Sequence, residues 1–417
     1  MISTLTFYVW ILAFISVFVS LFWVIVNSVA NQYKKSNPHV KVFPKVTVVI
    51  PTWNEEKAIV STIKCILGLD YPRDKIEIII VDDKSKDNTV EVVNEFIFKT
   101  RVKNVRLIEH EKNKGKAGAV NTALKEARGE FFWVYDADSY ASKELLKNLV
   151  ARFYEKGNDD VGAVVAITMI RNQGNLIEKM QRLEYVMTAF MRKLTGTVNT
   201  LHITNALSLF KTGLLKKVGG FDEGNLTEDF EIAMRLRSRG YRVVMCEKGV
   251  FYTRIPNTVK KMWMQRVRWF RGFIYNNLMY RKMILNKQFG LLGLFQIPLE
   301  VFVLITVFVS VVIMGINFVK EAVNLAARVF LARSTLFEIS FGSTGQFFLG
   351  LNWNFIFPFV VVLVTAFYLY VQAHRYVGEK WKFYLPSLLY LFVYPFFRSM
   401  QWMHAALLEI FGAKRKW

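Results

Sequence analysis

Val46-Thr47-Val48-Val49-Ile50-Pro51-Thr52-Trp53-Asn54-Glu55-Glu56 opens with five apolar or β-branched residues and breaks at a proline into a polar loop. Such a run, with no polar alternation, reads as a strand over 46–50 that is buried on both faces. A helical pattern follows over 60–69. The unit then repeats: strand 76–81, helix 90–98, strand 105–108, helix 121–128, strand 131–135. This alternation predicts an α/β domain of three layers around a mainly parallel sheet. Ligands of such a domain belong at the carboxyl ends of its strands.

Those strand ends carry the chemistry. The second ends in Asp82-Asp83-Lys84-Ser85-Lys86-Asp87-Asn88-Thr89. It is either a polar turn capping the next helix through Asp87 or Thr89, or a carboxylate site for the imide and hydroxyl groups of a nucleoside. Lys112-Asn113-Lys114-Gly115-Lys116-Ala117-Gly118 is a basic, glycine-bearing loop entering a helix, where backbone amides and lysines suit a diphosphate. Asp136-Ala137-Asp138 ends another strand and places two hard carboxylates beside one another, as a divalent cation requires. No Gly-x-Gly-x-x-Gly or phosphate-loop pattern occurs, which counts against a dinucleotide enzyme or an ATPase. Beyond residue 150 come a strand over 161–169, a long helix over 176–194, and Ile203-Thr204-Asn205-Ala206, pieces expected to build an acceptor side.

Farther on stand Gly219-Gly220-Phe221-Asp222, Leu226-Thr227-Glu228-Asp229-Phe230-Glu231 and Gln265-Arg266-Val267-Arg268-Trp269. Thr227 is placed to cap a helix whose first turn holds Glu228 and Asp229, with Phe230, Ala233 and Leu236 on one face and Gly240 as its stop. In a helix over 259–271, Gln265, Arg268 and Trp269 share a face. A guanidinium fork suits phosphate oxygens and an indole suits a sugar ring. The competing reading is an amphipathic helix on a membrane surface, with Lys260, Lys261, Arg266 and Arg271 beside Met262, Trp263 and Phe270.

Taken in this order, the motifs resemble the processive inverting glycosyltransferases of family 2, which include cellulose, chitin, hyaluronan and poly-N-acetylglucosamine synthases. The resemblance spans roughly residues 47–272. It implies a GT-A-type nucleotide-sugar-binding domain in which Pro51, Thr52, Asn54, Glu55 and Asp82 hold the nucleoside and Lys116 faces the diphosphate. Asp136 and Asp138 match the acid pair for uridine and a divalent cation, Mg2+ or Mn2+. Asp229 matches the general base, with Glu228 beside it. Gln265 and Arg268 match the grip on the pyrophosphate, and Trp269, with Thr204 and Asn205, the acceptor side. The implied function is transfer from a nucleotide sugar, UDP-linked by this resemblance, to a growing polysaccharide exported through the enzyme's own helices. The alternative is a single transfer to a lipid acceptor, a polyprenyl phosphate or glycolipid. Two positions depart from the family pattern: Lys84 stands where glycine is usual, and Thr204-Asn205 replaces a small Ser-Gly pair.

The 417 residues are 53% hydrophobic and include 36 Phe, and the formal net charge is +22. Long apolar runs assign that charge to anionic lipid, and no nucleic-acid motif is present. Two cysteines without metal-ligand spacing fit a reducing compartment. Residues 1–31 read as a membrane anchor. Lys34, Lys35, Lys41 and Lys45 after it place a domain over 32–254 in the cytoplasm, making an integral protein of the cell membrane. Residues 255–288 read as interfacial helices and 289–417 as a membrane region, with spans over 289–318, 355–371 and 383–411 and an interfacial segment over 320–350. Three such spans would put Lys414-Arg415-Lys416 outside, against the positive-inside tendency. Either the last run is partly interfacial or re-entrant after Arg398, or 320–350 conceals another crossing.

Overall fold

The computed structural model describes residues 4–32, 43–331, 353–382 and 384–414. Its chain forms two compact units, one of residues 34–300 with 382–417 and one of residues 1–33 with 301–381.

The first unit is built on an eight-stranded sheet in the order β3-β2-β1-β4-β7-β6-β8-β5. The strands are β1 (Val46–Thr52), β2 (Ile76–Asp82), β3 (Val105–Glu109), β4 (Phe131–Val134), β5 (Tyr140–Ala141), β6 (Val161–Ile170), β7 (Leu209–Lys211) and β8 (Arg242–Thr253). β1 pairs in parallel with β2 and β4, and β2 with β3. Every residue of β1 except Pro51 is buried, which is why its sequence shows no alternation. The other half is mixed: β7 runs antiparallel to β4 and β6, β5 is antiparallel to β8, and β6 and β8 are parallel. The expectation of a mainly parallel sheet thus holds for β1–β4, and antiparallel β7 makes the whole a mixed sheet.

The helices joining the parallel strands are α2 (Ile59–Leu67), α3 (Thr89–Thr100) and α4 (Gly115–Glu126). The strand order runs outward from β1 to β3 and then returns past β1 to β4. Right-handed crossovers therefore put α2 and α3 on one face and α4 on the other, giving three layers. The reversal between β1 and β4 is a topological switch point, so the loops after Thr52 and Val134 border a cleft.

This unit also contains α5 (Leu145–Phe153), α6 (Leu176–Thr197), α7 (Thr212–Lys217), α8 (Glu228–Ser238), α9 (Val259–Met279) and a C-terminal helix, Tyr394–Ile410. Asn175 and Glu178 start α6 with a reciprocal capping box. Gly240, at φ +84°, follows the end of α8 as its sequence requires.

The second unit contains α1 (Thr4–Gln32), the part of α10 (Ile297–Leu331) from Val301 onward, and α11 (Trp353–Tyr376). The Tyr8 hydroxyl lies 3.1 Å from Ser310 Oγ, and Asn27 donates to the Tyr368 hydroxyl at 3.3 Å. Among the described residues three helical segments are long and apolar enough to cross a membrane: Phe7–Gln32, Leu292–Ala327 and Ile356–Tyr376. The fourth expected span, 383–411, is not one of them. Its helix is interrupted by a π-helical stretch over Leu389–Val393, and the Tyr394–Ile410 helix, α12, packs on α9. Lys34, Lys35, Lys41, Arg415, Lys416 and residues 332–350 of the expected interfacial segment over 320–350 lie outside the described residues, while its first part, 320–331, continues α10.

At the N-terminal ends of β1 and β2, opposite the strand ends that border the cleft, Glu77 accepts from Thr47 Oγ1 and Arg128 N, while Gly129 N donates to Thr47 Oγ1. A Cβ on Gly129 would sit 2.4 Å from Thr47 N and 2.8 Å from Val46 C, both main-chain atoms. Gly129→Ala is therefore expected to destabilise the domain by about 1–3 kcal/mol through overpacking, measured as a lower thermal midpoint of the detergent-solubilised protein.

Candidate active site

The loops after β1 and β2 are laced together. Asn54, at φ +57°, donates its amide to Ser85 Oγ at 2.9 Å and accepts from Lys86 N at 2.8 Å. Glu55 N donates to Thr89 Oγ1, and Glu56 N to Asp87. Asp82 is buried and accepts from Ser85 N and Ser85 Oγ. Lys84 sits at φ +65°, a left-handed conformation that glycine adopts freely, which accounts for the glycine usual at this position and leaves the lysine in a conformation that side chains disfavour.

Asp83, which the sequence did not single out, is a buried hub. It accepts from Lys114 N at 2.8 Å, Gly115 N at 2.7 Å and His110 Nδ1 at 2.8 Å. The basic loop is thus shorter than expected, because α4 begins at Gly115 and not at Asn121. Two amides at its start are already committed to Asp83. The Lys116 side chain, in the first turn, adds a positive charge there to meet an anion.

Lys116 Nζ lies 2.6 Å from Asp136 Oδ1 and 3.6 Å from Glu228 Oε1. Burial alone would lower this ammonium, but Asp136 and then Glu228 hold it above its ordinary value. Burial pushes Asp138 up to about 6, with Asp136 adding to the shift and Lys116 opposing it. Burial, then Asp138, push Glu55 up to about 7 against the pull of Arg254. Glu228 is raised chiefly by burial, opposed by Lys116 and helped by Asp229. The cleft therefore gathers carboxylates that are short of positive charge.

Two helices bring the later motifs to this cleft. α8 starts at Glu228, but Thr227 makes no side-chain cap. Its hydroxyl instead accepts from Asn276 on α9, and Asn276 also meets Asn225. Phe230 stacks on Phe273 with centroids 5.6 Å apart. The Tyr280 hydroxyl donates to Glu231, which also holds Arg235. Gly272 allows the close approach: a Cβ there would lie 2.2 Å from Thr227 Oγ1. These contacts register the 228–229 acids against the 265–269 stretch.

On α9, Arg268 Nη1 lies 3.5 Å from the Leu226 carbonyl, and its charge acts on Glu228. Gln265 Oε1 accepts from Arg266 Nη1 at 2.6 Å, and the Arg266 guanidinium lies over the Trp269 ring at 4.1 Å. Thr204 donates its hydroxyl to the Asp229 carbonyl. Asn205 is spent on the scaffold, donating to Ala166 O and Thr168 Oγ1 of β6. Glu55, Lys116, Asp136, Asp138, Glu228, Asp229 and Arg268 are electrostatically linked, whereas Asn205 is walled in.

The membrane-surface reading of α9 needs correction. Arg266 and Arg271 are buried and paired with Glu184 and Glu409. Phe270 stacks on Trp402 at 3.9 Å, and Trp263 Nε1 donates to His404. One face of α9 is therefore covered by α12, which leaves Lys260, Lys261 and Met264 among its exposed residues.

With this geometry established, residues 47–219 match the family model described as glycosyl transferase family 2. The chain carries a glycosyl transferase family 2 domain. This glycosyltransferase is 28% identical over 397 residues to a poly-beta-1,6-N-acetyl-D-glucosamine synthase of Staphylococcus epidermidis, covering 92% of this chain and 89% of that one. It is 31% identical over 280 residues to the synthase of that name from Staphylococcus aureus (strain COL), spanning 63% of this chain and 64% of its relative. Among solved structures it is similar to a mannosyltransferase of Pyrobaculum calidifontis in complex with GDP-Man and Mn2+. That match has a TM-score of 0.54 and 25% identity, covering 66% of this chain and 75% of the other. The fold is GT-A-like.

Because Glu55 and Asp138 both bind their protons more tightly in the folded glycosyltransferase than in a free chain, folding takes up protons as pH rises from about 4 to about 7. Stability should therefore fall as pH rises through that window. Glu55→Gln is expected to reduce this slope, so its thermal midpoint rises relative to the parent at pH 8 and matches it near pH 4. Melts at both pH values check this.

Proposed function

We propose that this glycosyltransferase transfers a sugar from a nucleotide sugar, UDP-linked and of the N-acetylhexosamine type, to the end of a growing polysaccharide. The observation that carries this reading is Lys116 Nζ reaching Asp136 on one side and Glu228, next to Asp229, on the other. One ammonium thereby links the donor half of the cleft to the acceptor half. The full-length similarity to a polysaccharide synthase supports the polymer acceptor.

In this reading the nucleoside rests against the 51–55 loop and Asp82. Lys116 and Arg268 offset negative charge that grows on the departing diphosphate. Asp229 removes the proton of the acceptor hydroxyl as its oxygen attacks the anomeric carbon from the face opposite the leaving group. The C–O bond to the diphosphate breaks as the new glycosidic bond forms, so configuration inverts in one step. Glu228 holds Lys116 in place from the acceptor side.

Asp136 and Asp138 are the residues that would hold a divalent cation. Their donor set fits: hard oxygens, a carboxyl raised by burial and then by Asp136, and Glu55 nearby. Among the described residues no group of three or more His, Cys, Asp and Glu side chains could hold an ion. The coordination would therefore be completed by diphosphate oxygens and water, as Mg2+ and Mn2+ permit, and the ion would supply charge neutralisation there.

Residues 34–300 and the segment from Lys382 onward belong to one unit. That shared unit supports placing both on the same side of a membrane, with an even number of crossings in the chain between them. Two candidate spans, Leu292–Ala327 and Ile356–Tyr376, meet that condition. Lys45 and Lys414 then share the cytoplasmic side, which removes the conflict posed by three C-terminal spans. The cell membrane is the expected location, and a path for polymer export through the helices is part of this proposal.

Detergent-purified enzyme given labelled UDP-sugars with Mg2+ or Mn2+ tests the reading, with products separated by size and by extraction into organic solvent. A water-soluble ladder is expected; a single extractable glycolipid would replace the polymer by a lipid acceptor. Asp229→Asn is expected to lower transfer by about 10²–10⁴-fold while leaving donor affinity within about threefold.

A further inference from the structure

Arg266 sits between two residues of the cleft without facing it. One position after Gln265 on a helix, it lies about 100° around the axis. Its side chain is fully buried, and each end of its guanidinium is engaged. Nη1 donates to Gln265 Oε1 at 2.6 Å, Nη2 donates to Glu184 Oε2 at 2.6 Å, and the plane covers the Trp269 ring at 4.1 Å. Glu184, on α6, is itself buried and accepts from the Tyr394 hydroxyl at 2.8 Å; Arg398 Nη1 lies 3.9 Å from its other oxygen. Tyr394 and Arg398 both belong to α12.

This wiring fixes an orientation. Arginine only donates, so the Gln265 carbonyl oxygen must face Arg266 and its amide NH2 becomes the group left to meet a ligand. Gln265 can then offer hydrogen-bond donors, as an oxygen-rich ligand requires. The Trp269 ring is clamped on one face by the guanidinium, and its other face is set in angle by that contact. A buried Arg266 has little freedom to turn, because Glu184 holds it and Glu184 is held from α12.

We propose that Glu184, Arg266 and Tyr394 form a positioning relay through which the C-terminal helix sets the orientation of Gln265 and Trp269, and with it how well the acceptor is retained between transfers. This rests on the reading of Gln265 and Trp269 as donor and acceptor contacts. The relay residues touch neither substrate; they act through those two side chains.

The mild probe is Tyr394→Phe, which removes one hydroxyl and keeps the ring. Product length and acceptor-free donor hydrolysis are measured side by side on detergent-purified enzyme with UDP-N-acetylglucosamine, for Tyr394→Phe, Trp269→Ala and the double variant. Mean product length is expected to fall about three- to tenfold in Tyr394→Phe while donor hydrolysis stays within about twofold. The double variant is expected to match Trp269→Ala alone, because the two changes act along one path. Glu184→Gln should shorten products as well, and Glu184→Asp should recover part of the length. Wild-type product length in Tyr394→Phe, or additive losses in the double variant, would overturn the relay while leaving the roles of Gln265 and Trp269 intact. Unchanged product length in Trp269→Ala and Gln265→Ala would overturn the underlying reading and the relay with it.

Discussion

The site depends on where one positive charge is held. Lys116 extends from the first turn of α4, and its ammonium is shared by Asp136 at the end of β4 and Glu228 at the start of α8. Three elements from distant parts of the chain are drawn to one point by that charge. In a half-buried cleft an acid cluster without it would face the full cost of charge crowding; burial first, and the neighbouring acids second, already raise Asp138 and Glu55. A donor carrying a diphosphate adds further negative charge, so a divalent cation is the natural complement to this lysine.

Holding that point fixed requires rigid neighbours. Asp83 ties the loop after β2 to the start of α4, and Asn121 reaches across to Phe221 N and O in the Gly-Gly-Phe-Asp turn. Gly220, at φ +72°, would bring a Cβ within 2.6 Å of Asn121 Oδ1, so that turn accepts glycine alone at this position without rearrangement. On the other side, α8 and α9 are joined by the Asn225–Thr227–Asn276 cluster and by Glu231 with Tyr280. α9 is in turn braced by α12 through stacked Phe270 and Trp402 and the Arg271–Glu409 pair. The apolar C-terminal run is thus explained by a protein partner, α9, as much as by lipid.

The parallel half of the fold was legible in the sequence because β1 to β4 are apolar runs separated by amphipathic helices, a local signal. β5, β7 and β8 went unread. β5 and β7 have only two and three residues, and β8 carries Glu247, Lys248 and Gly249 in its middle. Asp136, Asp138, Glu228 and Asp229 were readable as acids at strand and helix ends. The burial of Arg266 was not, because its partners Glu184 and Tyr394 lie far away in sequence, and a basic residue in an aromatic-rich helix looks the same whether it faces lipid headgroups or a buried carboxylate. For the same reason Thr227 reads as a cap although its hydroxyl serves a tertiary contact. Asn205 reads as a ligand group, yet its donors are taken by β6.

The proposed chemistry is a single displacement with Asp229 as base and no covalent glycosyl-enzyme. The anomeric configuration of the first bond formed tests this most directly. Proton NMR of a short product made from an α-linked nucleotide sugar, read from the coupling constant of the newly bonded anomeric proton, should show the β anomer. An α-linked product would contradict the account, since retention requires either a second displacement or attack on the face of the departing diphosphate.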